Sequence, residues 1–348
     1  MKTSWRILLF PLIPLYGLGV LLRNLCFDLG ILKAHRFKVP VISIGNLSTG
    51  GTGKSPHILL LTDWLSPGNK VAVVSRGYGR NTKGFLYVNE HSTAKEVGDE
   101  PLQLKKNHPE IIVAVDEKRA HGISRVIQDH PDTDVVLLDD AYQHRHVKPG
   151  LNILLIDAQH FSKINLLLPA GDLREPFSAR KRADIIIITR ASPPLDPALV
   201  RAVKNRIGPQ ATLYFSSVAY EQPKAVFQST TVPSLKAQNI LLVTGIARPD
   251  ELLRHLLRHD NRITHLSFPD HHQFSPGDLQ KIRTEFLTLD DKNAFILTTE
   301  KDAMRISTPD AADILADIPM FYLPISIQVT SESSTTLKNI IDAYIRKN

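Results

Sequence analysis

Short apolar runs recur along the chain at the spacing of an alternating α/β fold. Five of them are rich in Val, Ile and Leu and are bounded by polar segments: Val71–Val74, Ile111–Val115, Val135–Leu138, Ile153–Ile156 and Ile185–Ile188. Continuous apolar runs of this length are typical of strands in a parallel sheet that is covered by helices on both faces. The segments between the runs are long enough for crossover helices. The pattern therefore predicts a doubly wound α/β core from about Lys38 to about Ser217.

A polar stretch interrupts this pattern at 219–238 and precedes a second, smaller α/β unit. The stretch contains two prolines and alternating Val and Phe, which indicates a linker with a strand or two at most. The elements predicted beyond it are strands Ile240–Thr244, Phe295–Thr299 and Met320–Leu323 and helices Pro249–Leu257 and Thr335–Arg346. The predicted organisation is an N-terminal segment 1–37, a first α/β unit 38–218, the linker, and a second unit 239–348 that caps the first.

The N-terminus carries an uncharged apolar run, Ile7–Leu22, between basic residues. The flanking basic residues are Lys2, Arg6, Arg23, Lys33, Arg36 and Lys38. The run is short for a spanning helix, which needs about twenty apolar residues, and Pro11 and Pro14 would kink it. A secretory signal peptide and a buried core helix are the alternatives, but no convincing small-residue cleavage site follows. The pattern favours a membrane-associated hairpin or interfacial helix, and it leaves open whether the helix spans the bilayer.

Composition narrows the possible partners. The chain of 348 residues has a formal net charge of +7, which suits an anionic partner. Its basic residues are scattered rather than interleaved with aromatic residues, so a nucleic acid is the weakest candidate. Cys26 is the sole cysteine, which excludes an internal disulfide and suits a reducing compartment.

The strongest chemical motif is Val39–Pro56, VPVISIGNLSTGGTGKSP. An apolar strand leads into a glycine-rich loop that closes on Lys54 and Ser55 at the start of a helix. In such loops backbone N–H groups bind phosphate oxygens, the lysine reaches the terminal phosphates and the hydroxyl ligates Mg²⁺. The usual pattern has glycine where this chain has Ser48, so the loop is a variant, and a plain strand-to-helix turn is the alternative. The predicted nucleotide-binding residues are Ser48, Thr49, Gly50, Gly51, Thr52, Gly53, Lys54 and Ser55.

Two carboxylates, Asp139 and Asp140, end the apolar run at 135–138. Nucleotide-binding sheets carry a metal-positioning aspartate at this place, so a Mg²⁺ role is favoured over that of solvated aspartates at a strand end. His144 and His146 follow closely, but no further ligand has the spacing of a zinc site.

Three other loops offer candidates whose alternatives remain open. Asp99 in VGDEP suits a helix N-cap, which is the favoured interpretation, although a cap carboxylate can also accept a hydroxyl proton. Asp270, His271 and His272 could orient a base, form part of a metal site or form a surface turn. Arg76 in SRGYGR suits anion binding or a flexible turn.

Taken in order, these segments resemble the tetraacyldisaccharide 4′-kinase family, the lipid A 4′-kinases. The resemblance spans nearly the whole chain and rests on ISIGNLSTGGTGKSP, SRGYGR, VGDEP, LLDDAYQH, LPAGDLREP, FPDHHQF and TTEKDAMR. It implies ATP- and Mg²⁺-dependent phosphorylation of the 4′-hydroxyl of an acylated glucosamine disaccharide 1-phosphate. It also implies attachment to the cytoplasmic face of a Gram-negative inner membrane, and it implies no protein partner.

The same resemblance implies roles for individual residues. Asp99 matches the base that takes the hydroxyl proton, assisted by His271 rather than His272, and Lys54 matches the phosphate lysine. The implied metal residues are Ser55, Asp139 and Asp140. The positions that match residues lining the family's site are Gln143, His144, Arg174 and Glu175, and we expect Arg76 to hold the phosphate of the substrate. The chain departs mildly from the family at Ala141-Tyr142, where Gly-Phe is common, and at Ser55, where Thr is common.

Three other functions remain compatible with the residues alone. One is a P-loop kinase or NTPase with another acceptor, because no residue by itself specifies an acylated sugar. A GTP-driven switch is disfavoured because no Asn-Lys-x-Asp motif is found. The third is a membrane-tethered adaptor that binds a nucleotide without turning it over.

Overall fold

The computed structural model describes residues 6–162, 165–208, 211–227, 233–330 and 336–348. The parts of the sequence predictions that fall outside these ranges are residues 1–5 of the N-terminal segment (with Lys2), residues 163–164 and 209–210 of the first unit, residues 228–232 of the linker, and residues 331–335 of the second unit (with Thr335).

Within the described ranges the chain forms two β-sheets. The strands are β1 (Val41–Asn46), β2 (Val71–Ser75), β3 (Leu86–Tyr87), β4 (Ile112–Val115), β5 (Val135–Asp139), β6 (Leu151–Asp157), β7 (Ile185–Thr189), β8 (Thr212–Tyr220), β9 (Lys224–Ala225), β10 (Asn239–Thr244), β11 (Arg262–Ser267), β12 (Phe295–Thr299), β13 (Met320–Leu323) and β14 (Ile325–Thr330).

Helices connect most of these strands. They are α1 (Ile13–Asp28), α2 (Lys54–Leu65), α3 (Ala94–Val97), α4 (Asp99–Asn107), α5 (Arg119–Asp129), α6 (Pro197–Ile207), α7 (Asp250–Leu257), α8 (Pro276–Leu287), α9 (Glu300–Ile306), α10 (Pro309–Leu315) and α11 (Leu337–Lys347). Short 3₁₀ helices cover Arg6–Leu12, Ala158–Phe161 and Phe177–Arg182.

The first sheet has nine strands in the order β14-β8-β7-β6-β1-β5-β2-β4-β3. All neighbours are parallel except the two edge strands, β14 and β3, which run antiparallel to β8 and β4. The five apolar runs of the sequence form β2, β4, β5, β6 and β7, so the predicted doubly wound core is confirmed. Their side chains are buried on both faces, which explains why the sequence there does not alternate.

The second sheet has five strands in the order β11-β10-β12-β13-β9. Strands β10, β12 and β13 coincide with predicted strands, and the short antiparallel β9 lies within the predicted linker. Buried side chains such as Leu241 and Ile296 give this sheet its own core. The second unit therefore has an apolar core separate from that of the first sheet.

The last strand and helix of the chain correct the predicted extent of the second unit, 239–348. Strand β14 pairs antiparallel with β8 of the first sheet, from Ile325 opposite Tyr220 to Thr330 opposite Phe215. Helix α11 then buries Leu337 in the core of the first sheet. Without β14 and α11 in these positions, one edge of β8 would be unpaired and the apolar side of α11 would be exposed to water. Covering both surfaces is the physical reason why the chain returns to the first sheet. Residues 325–330 and 336–348 thus belong with the first sheet.

The N-terminal apolar segment forms a 3₁₀ turn followed by α1. The helix Leu8–Asp28 is long and apolar enough to cross a membrane by length and composition, and it is the one such helix among the described residues. Its side chains are largely exposed, with Leu8 at 79% and Leu15 at 70%. An exposed apolar surface of this size indicates a site of contact with other apolar material, such as a lipid bilayer.

Candidate nucleotide and phosphoryl-transfer site

The predicted phosphate loop connects β1 to α2 at the carboxyl edge of the first sheet. Gly50 and Gly53 have φ angles of +97° and +85°, a conformation that favours glycine. Buried Thr52 accepts a hydrogen bond of 2.8 Å from the side-chain amide of Asn46, the last residue of β1. Asn46 was not among the predicted site residues. Its hydrogen bond anchors the loop to the end of β1.

Two contacts from elsewhere in the first unit hold the loop in place. The backbone N–H of Thr49 donates to the carbonyl of Asp172, at 2.7 Å. On the other side, Nη2 of Arg190 donates to the carbonyl of Gly51, at 2.6 Å. These contacts keep the loop's backbone in a fixed conformation.

His57 lies in the first turns of α2, beneath the loop. Its Nδ1 lies 2.7 Å from the carbonyl of Gly53 and its Nε2 lies 3.0 Å from Oγ of Ser216. Burial lowers the pKa of His57 to about 4, so the ring is neutral at pH 7. A neutral ring that donates from Nδ1 to Gly53 and accepts from Ser216 satisfies both contacts.

The two predicted metal carboxylates lie at the end of β5, beside the loop. Nζ of Lys54 is 3.6 Å from Oδ1 of Asp140, and Nη1 of Arg174 is 3.2 Å from its Oδ2. Asp139 is buried; Ser75 donates to its Oδ2 at 3.0 Å, and its Oδ1 has no hydrogen-bond partner in the part of the chain that is described. Burial and neighbouring carboxylates raise the pKa of Asp139 to about 7. Burial would also raise the pKa of Asp140, but Lys54 and Arg174 outweigh it and lower that pKa.

These residues fit a magnesium ion. Mg²⁺ is usually bound by one or two carboxylates together with substrate phosphates, so a complete protein cage is not needed. The buried, unpartnered Oδ1 of Asp139 is an oxygen that such an ion would satisfy. No group of three or more His, Cys, Asp or Glu side chains that could hold a metal occurs among the described residues.

The predicted base, Asp99, does not cap a helix. It is the first residue of α4, and the N-cap position is taken by Gly98, which lacks a side-chain cap. A Cβ on Gly98 would lie 3.0 Å from the carbonyl of Tyr78, and its φ is +93°, so the close approach of these loops requires glycine. The N-cap interpretation favoured by local sequence is therefore wrong.

The carboxylate of Asp99 instead contacts two residues of the second unit. Nδ1 of His271 is 3.0 Å from Oδ2 of Asp99, and Nε of Arg305 donates to the same oxygen at 2.9 Å. Nη2 of Arg305 also contacts Oδ2. All of these contacts are on Oδ2; Oδ1 makes no hydrogen bond within the described residues. Burial would raise the pKa of Asp99, but hydrogen bonds from His271 and Arg305 hold it at about 2.

His271 is held from its other side by the second unit. Its Nε2 is 3.4 Å from Nζ of Lys301, which donates to Glu100 at 2.9 Å. Burial would raise the pKa of Glu100, but Lys301, and to a smaller extent Lys54 of the phosphate loop, lower it. The neighbouring His272 contacts Asp278 instead, at 3.1 Å. Lys301 and Arg305 were missed by sequence reasoning although both lie in the TTEKDAMR segment, which was the available signal.

The other predicted lining residues lie around the same edge. Gln143 donates to the carbonyl of Asn46 at 2.8 Å, and Arg174 pairs with Asp140. His144 is half-buried, and burial and nearby arginines lower its pKa to about 4. Arg76 is exposed and makes no hydrogen bond within the described ranges. The structure thus brings four of these side chains to one face, with Arg76 free to contact a ligand.

Glu175 has a different environment from the one predicted. It is buried and accepts hydrogen bonds from Arg182, at 2.7 and 3.1 Å. Its Oε2 also accepts from the side chain of Asn24 in α1, at 3.0 Å. Glu175 therefore connects α1 to the loop that precedes the 3₁₀ helix Phe177–Arg182.

Helix α1 and the turn before it contact the loop 166–175 at further points. Nη1 of Arg6 donates to Asp172 at 2.8 Å, and the hydroxyl of Tyr16 donates to the carbonyl of Arg174 at 2.9 Å. Because Asp172 also accepts from Thr49, the apolar N-terminal helix and the phosphate loop are joined through one loop.

A parallel α/β sheet that carries a glycine-rich strand-to-helix loop, a lysine and two carboxylates at its carboxyl edge is the arrangement of P-loop kinases. The chain belongs to the tetraacyldisaccharide-1-P 4′-kinase family, whose sequence model matches residues 5–346. The predicted family and fold class are thereby confirmed.

Relatives of known name agree with this membership. A tetraacyldisaccharide 4′-kinase from Phocaeicola vulgatus is 40% identical over 348 residues, which cover 98% of this chain and 95% of that protein. One from Bacteroides fragilis is 43% identical over 98% of this chain and 93% of that protein. Among solved structures, LpxK from Aquifex aeolicus in complex with ATP superposes with a TM-score of 0.77 and 28% identity, covering 98% of this chain and 100% of that chain.

Proposed function

We propose that this chain is an ATP-dependent kinase that transfers the γ-phosphate to the 4′-hydroxyl of a tetraacyl glucosamine disaccharide 1-phosphate. The observation that carries the proposal is the meeting of two sets of groups at one edge of the first sheet. The phosphate loop with Lys54 and Ser55 belongs to the first unit, and Asp99 beside it is held by His271 and Arg305 of the second unit. Family membership and the ATP complex of the Aquifex aeolicus relative support the choice of substrates.

Phosphoryl transfer leaves the protein the work of positioning groups and stabilising charge. Magnesium, when bound, neutralises charge on the phosphates. Ser55 and Asp139 would hold the ion. The ion pair of 3.6 Å between Asp140 and Nζ of Lys54 orients the lysine side chain for the phosphates. Lys54 itself stabilises negative charge on the transferred group.

Asp99 orients the acceptor hydroxyl and takes its proton. Because its pKa is held at about 2, the carboxylate is ionised throughout the physiological pH range and is a weak base, which suits a proton that moves late in the transfer. With Oδ2 occupied by His271 and Arg305, Oδ1 is the oxygen left for the hydroxyl. His271 donates from Nδ1 to Asp99 while its Nε2 accepts from Lys301, so this contact pair fixes one tautomer of the ring.

The second unit covers the site and supplies part of it. Since His271 and Arg305 reach Asp99, and Lys301 reaches Glu100, only where the two units meet, the site is complete only when the second unit is in place. Arg76, which is exposed and makes no hydrogen bond within the described residues, is suited to hold the substrate's own phosphate.

We infer further that α1 holds the enzyme at the cytoplasmic face of the inner membrane. The substrate's acyl chains stay in the bilayer, and the exposed leucines of α1 offer a surface for the same phase. The contacts from Arg6 and Tyr16 to the loop 166–175 would place the phosphate loop near the membrane surface.

Replacing two exposed leucines of α1, Leu15→Glu and Leu18→Glu, is expected to lower the partition coefficient onto vesicles containing anionic phospholipid by about tenfold or more, since each buried leucine contributes about 1.5–3 kcal/mol. Co-sedimentation measures the effect. Leu257→Glu, at an exposed leucine of the second unit, is the matched control and should bind as wild type does. Equal binding by all three proteins would contradict a membrane role for α1.

The activity itself is tested in mixed micelles with ATP, Mg²⁺ and acylated disaccharide 1-phosphate. The expected product is the lipid with the mass of one added phosphate at the 4′ position, detected by mass spectrometry and positional NMR. ATP binding without any lipid phosphorylation would favour the second candidate, a P-loop kinase with another acceptor.

A further inference from the structure

A cavity of about 1240 Å³ lies against one face of the first sheet, beneath the connecting segment 29–40 that follows α1. Its floor is formed by the first residues of β1 and β6, and its walls by that segment and by the loop 141–150. His35 joins the two covering segments: its N–H donates to the carbonyl of His146 at 2.8 Å, and its carbonyl accepts from the N–H of Lys148 at 2.9 Å. A cavity of this size has room for a small organic ligand.

The cavity is separate from the transfer site. Ser43, on its floor, comes three residues before Asn46, the end of β1, and therefore lies about 10 Å from the carboxyl edge of the sheet. The phosphate loop and Asp139 lie at that edge and do not line the cavity. Among the residues predicted for the transfer site, only His144 also lines it. The cavity thus has no part in the transfer described above.

The floor of the cavity carries two unsatisfied polar atoms. Ser43 and Asn152 are directly opposite each other in the parallel register of β1 and β6, so their side chains are neighbours on one face of the sheet. Ser43 is 1% exposed, and its hydroxyl has no hydrogen-bond partner among the described residues. The side-chain amide of Asn152 donates to the carbonyl of Arg182 at 3.2 Å, whereas its buried Oδ1 is without a partner in the same part of the chain. An unpaired acceptor beside an unpaired hydroxyl matches the hydroxyl groups of a ligand.

The walls of the cavity are basic. Two carboxylates line it, and both are engaged. Asp28 pairs with Arg145 at 2.5 Å, and Asp184 accepts from the backbone N–H of Asn152 at 2.8 Å. Of the six basic side chains, only Arg145 and Arg182 form ion pairs within the described ranges. The remaining positive charge favours a phosphate, whose oxygens accept from several such donors at once. The six are Lys33, Arg36, Lys38, Arg145, Lys148 and Arg182.

The connecting segment 29–40 continues the apolar surface of α1. Leu29 and Ile31 are 66% and 67% exposed, and they alternate with Gly30 and Leu32, which line the cavity. Apolar side chains beside unpaired basic ones are typical of a surface at the boundary between lipid tails and headgroups. A ligand whose polar end fills the cavity can therefore keep an apolar end in the same phase as α1.

We propose that this cavity is a second anion-binding site, which takes a phosphate ester that carries free hydroxyl groups. The phosphate binds Lys38 and Lys148, and the hydroxyl groups bind Ser43 and Asn152. The phosphoglycerol headgroup of an anionic membrane lipid has this chemistry, and so does free glycerol 3-phosphate. The inference goes beyond the proposed function, because binding here involves neither ATP nor the acceptor.

Calorimetry of the full chain in detergent micelles, with Mg²⁺-ADP present to fill the phosphate loop, measures the Kd of glycerol 3-phosphate and of inorganic phosphate. Ser43→Val removes the floor hydroxyl and keeps a side chain suited to a strand. It should raise the Kd of glycerol 3-phosphate about fivefold and leave that of phosphate within about twofold of wild type. Lys148→Glu should raise both Kd values about tenfold or more, because both ligands lose a charged hydrogen bond. Lys281→Glu, at an exposed lysine of α8, is the matched control and should bind both as wild type does.

The source of the headgroup is identified by native mass spectrometry of the same proteins, released from micelles that contain phosphatidylglycerol or phosphatidylcholine. Retention of one phosphatidylglycerol, reduced in Ser43→Val and in Lys148→Glu, would support a membrane lipid. Binding of glycerol 3-phosphate without retention of the lipid would support a free ester in the same site.

Other outcomes would overturn the inference. If wild type binds neither glycerol 3-phosphate nor phosphatidylglycerol, or if Ser43→Val and Lys148→Glu both bind as wild type does, the cavity recognises no such ester. Equal retention of phosphatidylcholine would mean that the headgroup is not recognised. Displacement of glycerol 3-phosphate by the acylated disaccharide 1-phosphate would make the cavity part of the acceptor site. The expected pattern in a protein that phosphorylates no lipid would support this inference while the proposed function fails.

Discussion

Asp99→Asn is expected to lower kcat by a factor of about 10²–10⁴, the usual contribution of a positioned general base. The amide keeps the size of the carboxylate but cannot take the acceptor proton. The Kd for ATP should stay within about threefold of wild type, because Asp99 makes no contact with the phosphate loop and its groups act on the acceptor. Single-turnover phosphorylation of the lipid together with calorimetric ATP binding separates the two effects.

Stability needs its own control in that experiment. Arg305 has a fully buried side chain, and a buried ion that loses its partner costs about 3–5 kcal/mol, although Asp302 remains paired to Arg305 at 2.8 Å. Thermal unfolding should therefore show a lower Tm for Asp99→Asn, and ATP binding shows that the protein is folded.

His271→Asn provides a variant with less structural cost. His271 has a φ of +59°, a conformation that asparagine tolerates, and its side chain is partly exposed. We expect His271→Asn to lower kcat, as Asp99→Asn does. The control is His272→Asn: because the wild-type His272 side chain contacts Asp278 and not Asp99, this variant should keep wild-type turnover. Near-normal kcat in both Asp99→Asn and His271→Asn would show that neither residue handles the proton.

The core of the fold could be predicted from the sequence because its strands are buried on both faces. A strand such as Val135–Asp139 must be apolar throughout, which leaves a local pattern that needs no knowledge of its neighbours. The return of β14 to the first sheet could not be predicted in this way. Its sequence, ISIQVT, alternates as any half-buried edge strand does. Nothing in that pattern specifies β8 as its partner, which lies about a hundred residues earlier in the chain.

The site shows the same division between local and distant signals. The phosphate loop is contiguous, so its glycines, Lys54 and Ser55 identify it directly. The partners of Asp99 are not contiguous, since Arg305 lies 206 residues away. Local preference favoured an N-cap for Asp99, and the buried contact with Arg305 overrode it. Arg190, which donates to Gly51 of the phosphate loop, carries no motif, and only the order of the strands brings it beside that loop.

Lys54→Ala is expected to lower kcat by a factor of about 10²–10³, since it removes a preorganised cation from the developing charge of the transition state. A second effect follows from the carboxylates around it. Lys54 lowers the pKa of Asp139 and Asp140, so its loss raises both, and that of Asp139 already stands at about 7. More Asp139 is then protonated at neutral pH, and a protonated carboxyl is a poor ligand for Mg²⁺.

The variant should therefore need more Mg²⁺ and respond more steeply to pH than wild type. Raising the pH above 7 returns Asp139 to the carboxylate, so part of the Mg²⁺ affinity should recover there while the loss in kcat remains. A Mg²⁺ titration of turnover at pH 6.5 and at pH 8.5 measures both effects. Lys118→Ala, an exposed lysine at the same edge of the first sheet, is the matched control and should match wild type. Full turnover by Lys54→Ala at saturating Mg²⁺ would rule out the phosphate loop as the site of transfer, because the rate would then not depend on its only lysine.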